Sequence, residues 1–391
     1  MEYTIDREYV VNTLQEMVRI NSVNPGLSPD GPGEQQMAGY LADRMRELGL
    51  DVQVERLTPK YWNAVGLLKG AGEGKSLMLT GHMDTVGLGD MQDPFSAEIR
   101  DGRLYGRGSC DMKSGLAAIL AAVKALKDAG LRPAGDLYVA GAADEEYLSM
   151  GSEKLARDYK VDGVIVAEPS GFYLVRAHKG FIWFEVETFG HAAHGSSYKE
   201  GVDAITRMGR FLVELEELAQ EQQSSPEYPL LGPPSLHASL IEGGIELSTY
   251  PPSCKLKIEW RTIPGQREEA LRGLLEEIIA QLKMQDPTYR AVVRTLFVRH
   301  PFQVAEDAPI VQSVLRQAEQ VLGKAPEFEG MGGWADTSLF ERAGMDALIF
   351  GPDGSGAHAR VEYADLESVV KTAEIFARVI SDFCGTQEAG G

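Results

Sequence analysis

The chain has 391 residues, which is more than one ordinary hydrophobic core holds, so we expect two domains. Its content of 43% hydrophobic and 25% charged residues is typical of a globular protein. The 38 basic and 58 acidic residues give a formal net charge of −20, which argues against a nucleic-acid partner because phosphates favour basic surfaces.

Residues 1–177 alternate between helical and strand patterns. Apolar residues recur at helical spacing in REYVVNTLQEMVRI, EQQMAGYLADRMRELGL and SGLAAILAAVKALKDAG. The short apolar runs SLMLTGH, DLYVAGAAD and GVIVAEP predict buried strands. This alternation predicts an α/β fold with a mostly parallel sheet flanked by helices, in which ligands bind beyond the carboxyl ends of the strands.

The pattern changes over residues 178–296. We predict strands in GFIWFEVETFG, SLHASLIEGG, CKLKIEWRTI and AVVRTLFV, and helices in EGVDAITRMGRFLVELEELAQ and QREEALRGLLEEIIAQLKM. The resulting order, β-α-β-β-α-β, is typical of a small ferredoxin-like α+β module.

The first pattern returns over residues 297–391. A helix in PIVQSVLRQAEQVLG, a Gly-rich turn in EGMGGWADTSLF, a strand in MDALIFG and a helix in YADLESVVKTAEIFARVISDF follow one another. We therefore expect one discontinuous α/β domain, 1–177 with 297–391, into which the module 178–296 is inserted. The final CGTQEAGG is expected to be a frayed tail.

Three features predict a cytoplasmic protein without a membrane partner. No stretch approaches the roughly 20 apolar residues of a membrane span. The first residues lack the basic region and apolar run of a secretory signal. Cys110, Cys254 and Cys384 are odd in number and widely spaced, so we expect neither a disulfide framework nor a cysteine zinc site.

A histidine and an aspartate follow the first buried strand, in LTGHMDTV. Zinc and similar ions bind His nitrogens and carboxylate oxygens. Residues two apart in an extended segment share a face, so Asp84 could accept the second ring N–H of His82 and fix its tautomer. A structural histidine would explain this pair equally well.

Further carboxylates occupy comparable places. Asp111, in GRGSCDMKSG, precedes a predicted helix, where it could bridge two cations or cap the helix. Glu145 and Glu146 follow another strand; neighbours in an extended stretch point in different directions, so one could bind metal while the other accepts a proton from the reacting water. An acidic surface pair is the alternative.

Glu168 in VIVAEPSG and His358 in GSGAHARVEY also follow predicted strands, although a Gly-rich loop with one histidine could be a plain surface loop. Together with the residues above they provide five nitrogen and oxygen ligands on one edge of one sheet, namely His82, Asp111, Glu146, Glu168 and His358. Two cations that share Asp111 would each have one histidine and one terminal carboxylate, an arrangement that suits hydrolysis.

The strings GHMDTV, GRGSCDMKSG, DEE, AEPSG, GHAAHGSS and AHARVEY occur in an order that resembles the M20 metallopeptidase family over nearly the whole chain. The family includes acetylornithine deacetylase, succinyl-diaminopimelate desuccinylase, aminoacylase and glutamate carboxypeptidases. The resemblance implies a zinc-peptidase-like catalytic domain, a lid and dimerisation domain at 178–296, and a homodimer. Where the family often has an asparagine, this chain has Ser248.

The resemblance also implies residue roles. His82 and Glu168 would be the terminal ligands of one metal, and Glu146 and His358 those of the other. Asp111 would bridge the two, Asp84 would orient a ligand and Glu145 would be the general base. In the inserted domain, His194 would stabilise the oxyanion and Arg261 would bind a substrate carboxylate, while the Gly332–Gly333 turn would border the pocket.

The sequence thus predicts a hydrolase with two divalent ions, zinc first and cobalt or manganese as alternatives. It would cleave the amide bond of a small N-acyl amino acid. The open alternatives are a metallo-carboxypeptidase or dipeptidase of the same family and a non-catalytic metal- or ligand-binding protein. A metal-free enzyme with an acyl-enzyme nucleophile is disfavoured because the sequence has no GxSxG motif.

Overall fold

The computed structural model describes residues 3–388. The helices in this range are, in chain order, α1 (Arg7–Arg19), α2 (Gln35–Glu47), α3 (Ser114–Asp128), α4 (Met150–Asp158), α5 (Ala204–Gln223), α6 (Glu268–Gln285), α7 (Pro309–Leu322), α8 (Thr337–Arg342) and α9 (Leu366–Cys384). One π-helical turn, Ser109–Lys113, directly precedes α3.

The strands are, in chain order, β1 (Asp51–Arg56), β2 (Trp62–Leu68), β3 (Leu77–His82), β4 (Glu98–Arg100), β5 (Arg103–Tyr105), β6 (Leu131–Pro133), β7 (Leu137–Ala142), β8 (Gly163–Val166), β9 (Leu174–His178), β10 (Gly180–Phe189), β11 (Ser235–Gly243), β12 (Ser253–Thr262), β13 (Ala291–Arg299), β14 (Phe302–Gln303), β15 (Phe328–Met331), β16 (Asp346–Ile349), β17 (Gly354–Ser355), β18 (Tyr363–Asp365) and β19 (Thr386–Glu388).

Several helix ends are determined by local side chains. The Asp6 carboxylate accepts the Tyr9 N–H at the start of α1, and Asp365 accepts the Ser368 N–H at the start of α9. Gly323 caps the C-terminal end of α7, and its φ of 75° lies in the left-handed region that glycine adopts without strain. The helical patterns of the sequence therefore have matching start and stop signals.

The chain forms two compact units. The first contains residues 1–176, 304–329 and 335–391, and the second contains residues 177–303 and 330–334. The first unit has a central sheet in the order β1-β2-β7-β3-β8-β16-β9. Its four middle strands, β7, β3, β8 and β16, are parallel, and the flanking pairs are antiparallel. The predicted α/β class with a mainly parallel central sheet is confirmed.

Strand β3 lies in the middle of this sheet, and all six of its residues are buried. Helix α3 is buried along most of its length and packs against β3 and α9. Small residues allow a close approach here: a Cβ added at Gly115 would lie 2.0 Å from the Ala167 carbonyl oxygen. Tight packing against the sheet holds the start of α3 next to the segment that follows β8.

The second unit is a four-stranded antiparallel sheet in the order β11-β12-β10-β13, with α5 and α6 on one face. Its element order is β-α-β-β-α-β, as the sequence predicts. A buried core that includes Phe184, Phe211, Trp260 and Leu275 joins the sheet to the two helices. Its function as a lid and dimerisation domain, and the domain boundaries 178–296, stay predictions.

The prediction of a frayed tail is wrong for part of the segment. Thr386–Glu388 forms β19, which pairs antiparallel with β6, and the residues beyond Glu388 lie outside the described range. Short polar sequence gave no strand signal there, and the pairing partner is more than 250 residues away in the chain.

Cys110, Cys254 and Cys384 are free and buried. Between residues 3 and 388, no helix combines the length and the apolar character that a membrane crossing needs.

Candidate metal centre

The five predicted ligands meet at the carboxyl edge of the parallel strands in the first unit. His82 ends β3, Glu146 follows β7, and Glu168 follows β8. Asp111 comes from the turn before α3, and His358 comes from the loop between β17 and β18. Parallel strands present their carboxyl ends at one edge, which is why residues so far apart in sequence converge.

The geometry forms two groups that share one carboxylate. His82 Nε2 lies 3.0 Å from Asp111 Oδ1 and 3.7 Å from Glu168 Oε1. His358 Nε2 lies 3.3 Å from Asp111 Oδ2 and 3.1 Å from Glu146 Oε2. Within each group the possible ligand atoms all lie within 4.8 Å of one another. Asp111 thus turns one oxygen towards each histidine, the arrangement expected of a carboxylate that bridges two cations.

Unsatisfied oxygens in both groups fit a pair of cations. Glu146 Oε1 and Glu168 Oε1 are buried, and neither has a hydrogen-bond partner within residues 3–388. Leaving a buried carboxylate oxygen without a partner is costly, and a divalent ion would satisfy it. Each group offers one imidazole nitrogen and two carboxylates, a donor set that zinc, cobalt and manganese all accept.

The ionisation of the centre reflects this crowding of charge. Burial alone would lower the pKa of His82, but Glu168 and Asp111 raise it well above its usual range. Hydrogen bonds to Asp111 and Glu146 raise the pKa of His358 to about 10. Burial raises the pKa of Glu168 well above its usual range, and the Asp111 charge adds to the effect. Two histidines and the three carboxylates Asp111, Glu146 and Glu168 therefore compete for protons that cations would displace.

Asp84 lies at the junction of several elements. His82 Nδ1 is 3.0 Å from the Asp84 main-chain oxygen and 3.5 Å from its carboxylate, so the carbonyl is the nearer acceptor. The carboxylate instead accepts the N–H groups of Glu145 at 3.1 Å and Glu146 at 3.2 Å. Asp84 therefore links the His82 segment to the turn that carries the two glutamates.

This turn differs from the extended stretch expected from the sequence. Asp144 has a φ of 66°, and its carbonyl oxygen accepts the Leu148 N–H at 3.1 Å. The Asp84 carboxylate stabilises the turn because it binds two successive backbone N–H groups. Glu146 points into the cluster of ligands and Glu145 lies beside it.

The alternative in which Asp111 caps a helix is wrong. Helix α3 begins at Ser114, and its N-cap position is Lys113. Asp111 lies in the preceding turn with φ −114° and ψ 98°, and the peptide bond to Met112 is cis. Its carboxylate contacts His82 and His358.

Glu145 is in an environment suited to proton transfer. Burial raises its pKa well above the usual range of a glutamate, and the charges of Asp336 and Glu168 act in the same direction. Asp336, which binds the Ser152 hydroxyl, is itself buried, and burial raises its pKa to about 6. A carboxyl group with a raised pKa is a stronger proton acceptor near neutral pH than an ordinary glutamate.

His194 lies in the second unit, in an exposed turn held by backbone pairing with Thr249. The Ser196 N–H donates to Nδ1 at 3.2 Å, and the Ser196 hydroxyl lies 2.8 Å from the same nitrogen. Since Nδ1 is an acceptor, the proton of the neutral ring is on Nε2, which assigns Nε2 as a hydrogen-bond donor.

Arg261, Gly332 and Gly333 also belong to the second unit. Arg261 lies on β12, where its Nε donates to Glu259 at 2.8 Å and its guanidinium lies 5.2 Å from the centre of the Phe181 ring. A Cβ added at Gly332 would meet no atom within 4 Å, so packing does not require a glycine there.

Three residues that bind the segments next to the candidate ligands were not predicted from the sequence. Asn24 Nδ2 donates to Asp84 at 2.7 Å and to Asp144 at 2.9 Å. Arg107 and Glu362 form a buried ion pair next to Asp111. Of these three, only Glu362 could have been noticed in the sequence, because it is an acidic residue four positions after His358 in AHARVEY.

Comparison with known proteins gives consistent matches. The model of peptidase family M20/M25/M40 matches residues 78–382. An acetylornithine deacetylase of Myxococcus xanthus is 33% identical over 384 residues, which cover 95% of this chain and 97% of that protein. Aminopeptidase PepT of Bacillus cereus has a similar structure, with a TM-score of 0.80, 20% identity and coverage of 97% of this chain and 99% of that one.

A second solved structure is that of the Bacillus subtilis YXEP protein, described as a dinuclear metal-binding peptidase of the M20 family. Its TM-score is 0.72 at 14% identity, and the match covers 96% of this chain and 97% of that one. At such identities the two structures support the fold, whereas the family match and the deacetylase relative carry the assignment of family.

Proposed function

Because the chain belongs to peptidase family M20/M25/M40 and is a hydrolase, we propose that it is a two-metal deacylase that cleaves the amide bond of a small N-acyl amino acid. The observation that carries the proposal is the position of Asp111, with one oxygen towards His82 and the other towards His358. His82 and Glu168 would hold one ion, and Glu146 and His358 the other. We propose zinc as the ion, with cobalt or manganese as alternatives.

Two divalent cations at such a centre polarise the scissile carbonyl and acidify the attacking water. The protein's own part begins with Glu145, which takes a proton from that water. Its raised pKa lets it hold the proton and then deliver it to the leaving nitrogen. Asp84 keeps Glu145 in place, because its carboxylate binds the Glu145 N–H.

His194 supplies a donor for the oxyanion of the tetrahedral intermediate. The support for this role is its tautomer, with Nδ1 bound to Ser196 and the proton on Nε2. A preorganised donor of this kind is typically worth several kcal/mol in the transition state. Arg261 would bind the substrate carboxylate through its remaining guanidinium N–H groups, with the Gly332–Gly333 turn beside the substrate.

A deacylase is favoured over a peptidase by the Myxococcus xanthus relative, which is similar along nearly its whole length. Hydrolysis of N-acetyl, N-succinyl and dipeptide substrates, each with added zinc or cobalt, tests this choice. Faster hydrolysis of the dipeptides would favour the carboxypeptidase or dipeptidase alternative. No hydrolysis of any amide by the metal-loaded protein would contradict the proposal.

The role of Glu145 has a direct test. Glu145→Gln keeps the shape of the side chain and removes the proton acceptor, so kcat should fall by about 10²- to 10⁴-fold. Metal content, measured by elemental analysis, should stay at two ions per chain. Glu153→Gln, an exposed glutamate on α4, is the matched control and should keep normal turnover. Near-normal turnover of Glu145→Gln would rule out this mechanism.

We also propose that two copies pair through the second unit. Strand β11 is an edge strand of its sheet, and Leu240 and Ile241 on it are 64% and 55% exposed. Ile245 and Leu247, just beyond the strand, are also exposed. Exposed apolar residues on an unpaired edge favour association with another strand. Sedimentation analysis should give a dimer, and Leu240→Lys with Ile241→Glu should give a monomer.

A further inference from the structure

An ion pair inside the first unit lies outside the set of ligands and the base. Arg107 Nη1 and Glu362 Oε2 are 2.6 Å apart, and the side chains are only 3% and 1% exposed. Arg107 belongs to the segment before Asp111, and Glu362 follows His358 by four residues. The pair therefore joins two segments that each carry one ligand.

Each partner also binds the backbone of the opposite segment. Glu362 Oε1 accepts the N–H of Cys110 at 3.0 Å and the N–H of Asp111 at 3.1 Å. Arg107 Nη2 donates to the carbonyl oxygen of Ala359, the residue after His358, at 3.1 Å. The fork of the guanidinium serves both contacts at once, which a lysine ammonium on a single stem cannot reproduce.

The two ligand groups differ in how their backbone is held. His82 ends a central strand, and Glu168 lies two residues after another, so the sheet positions both. Asp111 and His358 lie in irregular segments, and His358 has a φ of 62° in an exposed loop. The loop that carries His358 thus needs a separate anchor, and the ion pair is in contact with it.

Stability alone gives a weak reason for such a pair. Removing two charges from water is costly, and apolar residues of similar volume often stabilise a protein as well as a buried pair does. A fixed geometry for ligands is a different requirement, because partners behind the ligands commonly determine metal affinity.

We propose that Arg107 and Glu362 are positioning residues that set the affinity of the Asp111–Glu146–His358 group for its cation, more than that of the His82–Asp111–Glu168 group. The inference rests on the proposed function in one respect, that the wild-type protein binds two cations. Both Asp111 and His358 depend on the pair, whereas the other group depends on it through Asp111 alone.

The test is stepwise zinc binding by the whole chain, measured by competition with a chelator. In Arg107→Lys the charge is kept and the fork is lost, so one of the two dissociation constants should rise by about 10- to 100-fold and the other much less. The variant His358→Ala identifies which constant belongs to the Asp111–Glu146–His358 group, because it removes a ligand of that group only.

Three further variants separate positioning from general stability. Arg378→Lys makes the same substitution in the Arg378–Glu374 ion pair on α9, where the arginine side chain is 11% exposed, and both zinc constants should stay unchanged. Glu362→Gln keeps an oxygen acceptor for the two N–H groups, so its loss of affinity should be smaller than that of Glu362→Leu. Circular dichroism and urea unfolding verify that each variant is folded.

The outcomes are distinct. A selective rise of the constant identified by His358→Ala supports the inference. Equal changes in both constants, or no change in a folded Arg107→Lys protein, overturn it and leave the proposed function intact. If Arg107→Lys does not fold, the zinc dissociation constants of Glu362→Gln are compared with those of wild type instead. A selective rise of the same constant then supports the inference, and equal changes or no change overturn it. A wild-type protein that binds fewer than two ions contradicts both the inference and the proposed function.

Discussion

The raised pKa of Glu34 can be tested through the pH dependence of the protein's stability. This residue precedes α2 and its side chain is fully buried. Burial raises the pKa of Glu34 to about 9, and the negative charge of Asp84 acts in the same direction. The folded protein therefore keeps Glu34 protonated at neutral pH, whereas the unfolded chain ionises it near its ordinary value of 4.5.

The sign of the effect follows from proton counting. Between pH 4.5 and about 9 the folded protein binds one more proton than the unfolded chain at this site, so stability falls as the pH rises. Each pH unit in this window costs up to about 1.4 kcal/mol. From pH 5.5 to pH 8.5 the upper limit is about 4 kcal/mol, and we expect about 2–4 kcal/mol.

Glu34→Gln removes this proton linkage and keeps the size of the side chain. The free energy of unfolding in urea, taken as variant minus wild type, should rise by about 2–4 kcal/mol between pH 5.5 and pH 8.5. Titrating groups that do not interact with Glu34 contribute equally to both proteins and cancel in the difference. Glu73→Gln, an exposed residue with the same change of charge, is the control. A difference between Glu34→Gln and wild type that does not vary with pH would refute the reasoning.

Three other changes test the packing of the first unit through its free energy of unfolding. Asn24→Leu removes the donor shared by two buried carboxylates and should cost about 2–4 kcal/mol, so a loss under about 0.5 kcal/mol would contradict the hydrogen bonds described. Gly115→Ala places a Cβ 2.0 Å from a backbone oxygen and should cost about 3 kcal/mol or more. Gly39→Ala, in open space on α2, is its control and should stabilise by about 0.5–1 kcal/mol. If both substitutions changed the free energy of unfolding in the same direction, the close approach at Gly115 would be absent. Truncation after Gly385 removes β19 and should lower stability by about 1–2 kcal/mol. Truncation after Glu388 is its control, and equal stability of the two truncated chains would mean that β19 contributes nothing.

The sequence predicts the element order well because each element carries its own signal. Apolar periodicity, a capping aspartate at Asp6 and a terminal glycine at Gly323 are local, and the structure has helices where they indicate them. Four of the five candidate ligands, His82, Glu146, Glu168 and His358, were predicted because they follow predicted strands, and parallel strands end at one edge. Asp111 lies instead in the turn before α3. The motif order that resembles the M20 family, confirmed by the family match, connects them to one chemistry.

What the sequence did not predict depends on contacts between distant segments. Glu362 binds the backbone of Asp111, 251 residues away, through a pairing that no local pattern encodes. Asn24 was missed for the same reason, since its partners Asp84 and Asp144 are 60 and 120 residues away. The turn at Asp144 was expected to be extended because two adjacent glutamates do not by themselves indicate that a remote carboxylate binds their N–H groups.

The position of β16 has a consequence for the order in which the molecule can be assembled. This strand lies inside the central sheet, between β8 and β9, yet it is synthesised only after the whole second unit. Until it arrives, β8 has an unpaired edge made of buried apolar residues, which is the kind of edge on which chains aggregate. A nascent chain of this protein must therefore keep the sheet open, or shield β8, for the time that a ribosome needs to make roughly half of the polypeptide.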